Sequence, residues 1–206
     1  MKLYDYSRST AAYRVRIALN LKGLDYQSVP ISLLDNEQND AMYKTVNASG
    51  LVPSLETEGH QALTQSLAIM EYLDETFPNV PLLPATALER AHCRAIALDI
   101  ACDIHPLNNL RVLKHLTGKF AHSDVEKMSW YFHWLTLGFD TLENKLSHSS
   151  TTFCCGDSPT LADVCLVPQL FNARRFSFDL TPYPTLVRIE QHCLSLDAFA
   201  KASPDE

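Results

Sequence analysis

Three prolines within nine residues, Pro78, Pro81 and Pro84 of PNVPLLPAT, split this 206-residue chain into two stretches of different texture. Proline has no amide hydrogen to donate and a nearly fixed φ, so regular structure stops there. Pro78–Thr86 therefore reads as a linker or domain boundary. Ahead of it, two-residue and helical apolar periods alternate; behind it, only the helical period recurs.

In the first stretch Lys2–Tyr6 reads as a strand. Ala11–Lys22 has Val15, Ala18, Leu19 and Leu21 at helical spacing, and Gly23 is placed to end the helix. Tyr26–Leu33 alternates as a second strand, and Asp35–Asn47 reads as a polar loop. Leu51–Glu56 and Gln61–Thr64 look like a hairpin around Thr57-Glu58-Gly59-His60. Ser66–Thr76 is a helix with Leu67, Ile69, Met70 and Leu73 on its apolar side. The second stretch predicts helices over 88–116, 124–147, 161–176 and 184–200. A small α/β unit followed by an all-helical one is the expected fold.

A hydrophobic share of 46% is enough for a sizeable core. The net charge of −7 gives no basic footprint for nucleic acid, and no apolar run approaches the roughly 20 residues of a membrane span. The start lacks a signal-peptide run, so an unexported, cytoplasmic protein is expected. Cys93, Cys102, Cys154, Cys155, Cys165 and Cys193 show no C-x-x-C spacing and no paired His, so no metal site is expected. They read as reduced, mostly buried small hydrophobes.

Three short segments carry chemistry. Ser9-Thr10 lies where the first strand turns into the first helix, and helix N-termini stabilise anions through unpaired amides and partial positive charge. A hydroxyl there can steady a thiolate, although Ser9 alone reads first as an N-cap. Val52-Pro53 opens a strand; a cis bond would turn the Val52 backbone toward a peptide ligand, while base rates favour trans. Gln65-Ser66 precedes an apolar helix, with Ser66 a natural N-cap and the same helix end suited to a carboxylate. Two helix starts and a strand edge can together hold a short, doubly anionic peptide.

The stretch Ser-Thr-Ala-Ala-Tyr-Arg-Val-Arg-Ile-Ala-Leu at 9–19 resembles the zeta-class glutathione transferase signature S-S-C-x-x-R-V-R-I-A-L. The resemblance continues through Val52-Pro53, Gln65–Ala68, Ile104–Leu113, Gly156-Asp157, Thr160–Asp163, Leu166–Gln169 and Asp179–Pro184. It implies a thioredoxin-like glutathione-binding domain over 1–80 and an all-helical substrate-binding domain over 87–206. The implied activity is glutathione-dependent cis-trans isomerisation of maleylacetoacetate, a step of aromatic amino-acid catabolism, by addition and elimination of the glutathione thiolate. Maleylpyruvate isomerisation and transfer or dehalogenation of small α-halo acids are alternatives; a non-catalytic interaction module fits less well, because both early hydroxyls are present. A homodimer is also implied.

Residue by residue, the resemblance gives Ser9 and Thr10 the catalytic position facing the sulfur. Arg14, Gln38, Val52, Gln65 and Ser66 match glutathione contacts, and His105, Asn109 and Arg111 match positions that close over it. Arg8 and Arg175 match substrate-carboxylate arginines. The family's cysteine is Ala11 here, followed by Ala12, so only glutathione's own thiolate is left as nucleophile. Plainer readings stand beside these: His105 as a structural histidine, Arg111 as a solvated residue, and one of Arg174 and Arg175 as surface. Trp130 and Trp134 read as packing. Thr160–Asp163 fits a capping box before an apolar helix.

Overall fold

The computed structural model describes residues 1–59 and 61–204; His60, in the expected hairpin turn, lies outside them. They form two compact units, Met1–Leu82 with Leu194–Glu206 and Leu83–Cys193.

In the first unit, β1 (Lys2–Asp5) and β2 (Gln27–Pro30) run parallel, joined by α1 (Thr10–Leu21). β3 (Ser54–Glu56) lies antiparallel on the other side of β1 and pairs with β4 (Leu63–Thr64), giving the order β2-β1-β3-β4. Leu3 and Leu55 are opposite each other in this register and both are fully buried, as are Val15 and Leu19 of α1 and Ile69 and Leu73 of α3 (Ser66–Thr76). A one-residue slip would turn both leucines to the opposite face, so burial fixes the register.

The region expected to be a polar loop holds a 3₁₀ turn, Glu37–Asn39, and the short helix α2 (Ala41–Val46). With only Tyr43 of α2 buried, its sequence carries no apolar period to reveal it. The proline segment begins as a fixed strap: Lys22 Nζ, almost wholly buried, donates to Asp74 Oδ1 (2.9 Å), Phe77 O (2.9 Å) and Val80 O (2.7 Å). The C-terminal end, with α9 (Asp197–Ala200), packs on α1, where Asn20 Nδ2 donates to Ala198 O at 3.1 Å.

The second unit contains α4 (Ala87–Leu98), which runs into a π-helical segment Asp99–Ile104, then α5 (Leu110–Gly118), α6 (Asp124–Ser147), α7 (Leu161–Arg175) and most of α8 (Pro184–Leu194). The helix expected over 88–116 is interrupted at 105–109, where Pro106 cannot donate. The one expected over 184–200 is likewise two, α8 and α9. Residues 161–170 of α7 are buried without exception, Pro168 included, as befits a helix apolar on all sides. Gly138 of α6 is a packing requirement: a Cβ there would lie 2.2 Å from Ile104 Cδ1.

α4, α6 and α7 each start with a closed capping box, Thr86/Glu89, Ser123/Glu126 and Thr160/Asp163. Asp163 is fully buried and accepts from the Thr160 and Cys154 amides at 2.8 Å each. Burial pushes its carboxyl above the usual range, against the pull of those hydrogen bonds.

Candidate functional site

Ser9 is the N-cap of α1: its backbone is extended (φ −75°, ψ 116°) and its Oγ accepts from Ala12 N at 3.2 Å. A hydroxyl has two lone pairs and one hydrogen, so capping uses an acceptor site and leaves the hydrogen to be donated outward. The cap reading and the thiolate-facing reading of Ser9 are therefore compatible. Ser9 is half-buried, whereas Thr10 is only 4% exposed. The turn presenting Ser9 is braced by a residue that sequence reasoning did not single out. Arg16 Nη1 lies 2.8 Å from both Asp5 carboxylate oxygens, its Nη2 donates to Ser7 O (2.9 Å) and its Nε to Ala202 O (2.9 Å). Its only sequence signal is an arginine on the inward face of an apolar helix, which demands a buried partner.

At the start of α3 the expectation needs correction. Gln65, not Ser66, is the N-cap; it adopts φ 70°, is exposed and makes no side-chain cap hydrogen bond. Ser66 is the first helical residue, buried, and its Oγ accepts from Arg14 Nη1 at 3.3 Å. Arg14, 1% exposed, thus ties the first helix to the beginning of the third. Neither α1 nor α3 has an acidic residue in its first turn. Both positive helix ends therefore lack an internal counter-charge.

The Val52–Pro53 bond is cis, against the base-rate expectation. Val52 is half-buried, and its backbone N–H and C=O have no hydrogen-bond partner among the described residues. Gln38 Nε2 donates to Asn36 Oδ1 (3.1 Å), while its Oε1 is buried with no partner among the described residues. A side chain on Gly50 would put its Cβ 2.9 Å from Gln38 O, and Gly50 sits at φ 61°, so glycine is required where this loop closes. Arg8 is exposed on the β1–α1 turn.

In the second unit Asn109 caps α5, its Oδ1 accepting from Arg111 N at 3.1 Å, while the Arg111 side chain is exposed. His105 follows the π segment and its amide donates to Ile100 O at 2.9 Å. The two neighbouring arginines divide their tasks. Arg174 pairs with the buried Glu190, whereas Arg175 meets Asn172 Oδ1 (3.3 Å) and the Phe176 ring (5.6 Å) and has no carboxylate partner among the described residues.

The first unit therefore offers a hydroxyl donor at one helix start, a second helix start without an acid, an unpaired backbone edge at Val52 and a buried acceptor at Gln38. That set fits a small peptide carrying carboxylates, amides and a sulfur. Among the described residues no helix is long and apolar enough to cross a membrane.

The family model for the glutathione S-transferase N-terminal domain matches residues 3–81, and that for the C-terminal domain matches residues 138–190. The chain belongs to the glutathione transferase family. Its full-length relatives narrow this to the zeta class. A probable maleylacetoacetate isomerase of Vibrio cholerae is 51% identical over 98% of this chain and 95% of its own. The holo structure of a maleylpyruvate isomerase, described as a bacterial zeta-class glutathione S-transferase, superposes with a TM-score of 0.96 at 44% identity, covering 99% of this chain and 97% of that one. A maleylacetoacetate isomerase of Methylobacterium extorquens, solved with bound malonate and glutathione, gives the same TM-score at 40% identity over 99% and 96%.

Proposed function

We propose that this protein isomerises maleylacetoacetate to the trans isomer with glutathione as cofactor, as a cytoplasmic homodimer. The observation that carries the reading is the Ser9 hydroxyl, which caps α1 as an acceptor and keeps its hydrogen for a sulfur at a helix start with no first-turn acid. A relative that binds malonate, itself a dicarboxylate, together with glutathione supports a diacid substrate.

Glutathione supplies, when bound, a thiolate able to add reversibly to a conjugated cis double bond. The chain's own residues do the rest. Ser9, next to Thr10, and the α1 amides favour the ionised sulfur. The α3 start, with Gln65 and Ser66 and with Arg14 behind them, takes a carboxylate. The Val52 backbone pairs with the peptide's amides like an added strand, and Gln38 accepts one further donor. His105, Asn109 and Arg111 serve as cofactor contacts of the helical unit. Arg8 and Arg175 take substrate carboxylates through charge-assisted, fork-shaped contacts.

The test is a glutathione-dependent assay on maleylacetoacetate, maleylpyruvate and dichloroacetate. Faster cis-to-trans turnover of maleylacetoacetate than of the other two is the expected result; dechlorination without isomerisation contradicts the reading. Arg175→Ala should raise the diacid KM by about 10–100-fold, the worth of a charge-assisted hydrogen bond, while glutathione affinity is unchanged. Unaltered isomerase kinetics in that variant remove Arg175 from the site. Sedimentation of the native chain checks the dimer.

A further inference from the structure

The two arginines that end α7 are held by groups of opposite kind. Arg174 pairs with the buried carboxylate of Glu190, so its charge is answered inside the fold. Arg175 is held by neutral groups: its Nη1 donates to Asn172 Oδ1 at 3.3 Å, and its guanidinium carbon stands over the Phe176 ring at 5.6 Å. A neutral acceptor fixes the direction of a cation without cancelling its charge. The charge of Arg175 is therefore aimed and still unspent.

The two holding groups lead back to one anchor. Asn172 Nδ2 donates to the Tyr131 hydroxyl at 2.8 Å, and Tyr131, on α6, is fully buried. The Tyr131 ring meets the Phe176 ring, with centroids 4.5 Å apart and planes at 46°. Tyr131, Asn172, Arg175 and Phe176 thus close a circuit: hydroxyl to amide, amide to guanidinium, guanidinium to ring, ring to ring. Helical spacing puts Asn172 and Arg175 on one face of α7, and Phe176 follows as its C-cap. The direction of the Asn172 amide is dictated by its neighbours. A guanidinium has donors and no acceptor, so it takes the Asn172 oxygen, and the amide NH2 then needs an acceptor, which the Tyr131 hydroxyl supplies.

We propose that Asn172 is a positioning residue for the substrate: anchored on Tyr131, it aims the Arg175 guanidinium so that the donors it leaves free meet a carboxylate as a fork. The inference rests on the reading of Arg175 as a substrate-carboxylate contact and adds the device that directs it. An unheld arginine stem samples many rotamers, and each binding event must freeze them. A guanidinium held in advance binds the diacid more tightly in ground state and transition state alike, so its loss appears in KM rather than kcat.

The test is a double-mutant cycle of Asn172→Ala and Arg175→Ala in the full chain, read by steady-state kinetics on maleylacetoacetate at saturating glutathione. Asn172→Ala should raise the diacid KM by about 3–10-fold, the worth of one hydrogen bond, with kcat and the glutathione KM within about twofold of wild type. In the Arg175→Ala background the same change should add nothing, because Asn172 acts through the arginine. Tyr131→Phe keeps the ring contact and removes the anchor, and should raise the same KM by about 2–5-fold. Should Asn172→Ala fail to fold, Asn172→Asp keeps the shape, and its carboxylate, by neutralising Arg175, should raise the diacid KM at least as much. An unchanged KM in the Asn172 variants, beside a raised one in Arg175→Ala, overturns the proposal and leaves the Arg175 reading standing; a fall in melting temperature alone would then mark Asn172 as structural. An equal KM rise from Asn172→Ala in both backgrounds also overturns it, since the effect would bypass the arginine. Kinetics unaltered by Arg175→Ala remove the Arg175 reading itself, and this proposal with it.

Discussion

Three long helices of the second unit begin in the opposite way to α1 and α3 of the first, although α5, with its Asn109 cap and no first-turn acid, begins as α1 does. In the second, α4, α6 and α7 each receive a side-chain cap and an acid within the first turn, so their amides and positive ends are satisfied from inside. In the first, α1 has only the Ser9 cap and α3 begins at an exposed Gln65 with φ 70° and no side-chain cap; neither has a first-turn acid. A helix end worth about half a unit charge is a stability asset when the chain neutralises it and a binding asset when the chain does not. The difference separates a scaffold from a site.

The largest effect expected on the scaffold side comes from Asp163→Ala. It strands the buried Thr160 and Cys154 amides and should cost roughly 3 kcal/mol, a melting-temperature fall of about 6–12 °C by calorimetry. Glutathione affinity measured below the new transition should be unchanged; a loss of binding there would break the division of labour.

A smaller change sharpens it. Ala68, exposed in the first turn of α3, becomes in Ala68→Glu the kind of acid that α4, α6 and α7 already carry. The helix should gain about 0.5 kcal/mol while glutathione binds about 2–5-fold more weakly, because the new carboxylate occupies the charge deficit that an anionic ligand would meet. Thermal unfolding and isothermal titration calorimetry read the two signs separately. Weaker binding without a stability gain would mean that the α3 end is already neutralised.

The smallest expected effect concerns the central β1–β3 pair of the first unit's sheet, where Lys2 and Tyr4 hydrogen-bond to Glu56 and hold its carboxyl below its ordinary value of 4.5. A depressed carboxyl contributes stability above its unfolded value and loses it as pH falls through the folded one. Asp163, raised by burial, has the opposite sign, contributing most when protonated. Glu56→Gln should therefore lower the melting temperature slightly at neutral pH and leave it unchanged well below pH 4.5, where the wild-type carboxyl has already taken up its proton.

Long periodic elements were legible in the sequence and short or polar ones were not. Residues 66–76 and 124–147 have the expected bounds because their apolar spacing starts and stops sharply. α2 went unseen because one buried tyrosine makes no period, and the break after Ile104 was masked by apolar residues continuing at helical spacing through Leu113. Ser9 could be found because a hydroxyl at a strand-to-helix turn has a local mechanism. The Arg16–Asp5 brace depends on two residues facing each other across that turn. Local spacing does not encode that pairing.

The most direct test of the account follows the ionisation of the bound sulfur. Ultraviolet difference titration of glutathione on the wild-type chain should show the thiolate forming at least about one pH unit below its free value, equivalent to about 1.36 kcal/mol, with most of that displacement lost in Ser9→Ala. An identical thiolate titration in the two proteins would contradict the claim that Ser9 and the open end of α1 hold the sulfur ionised.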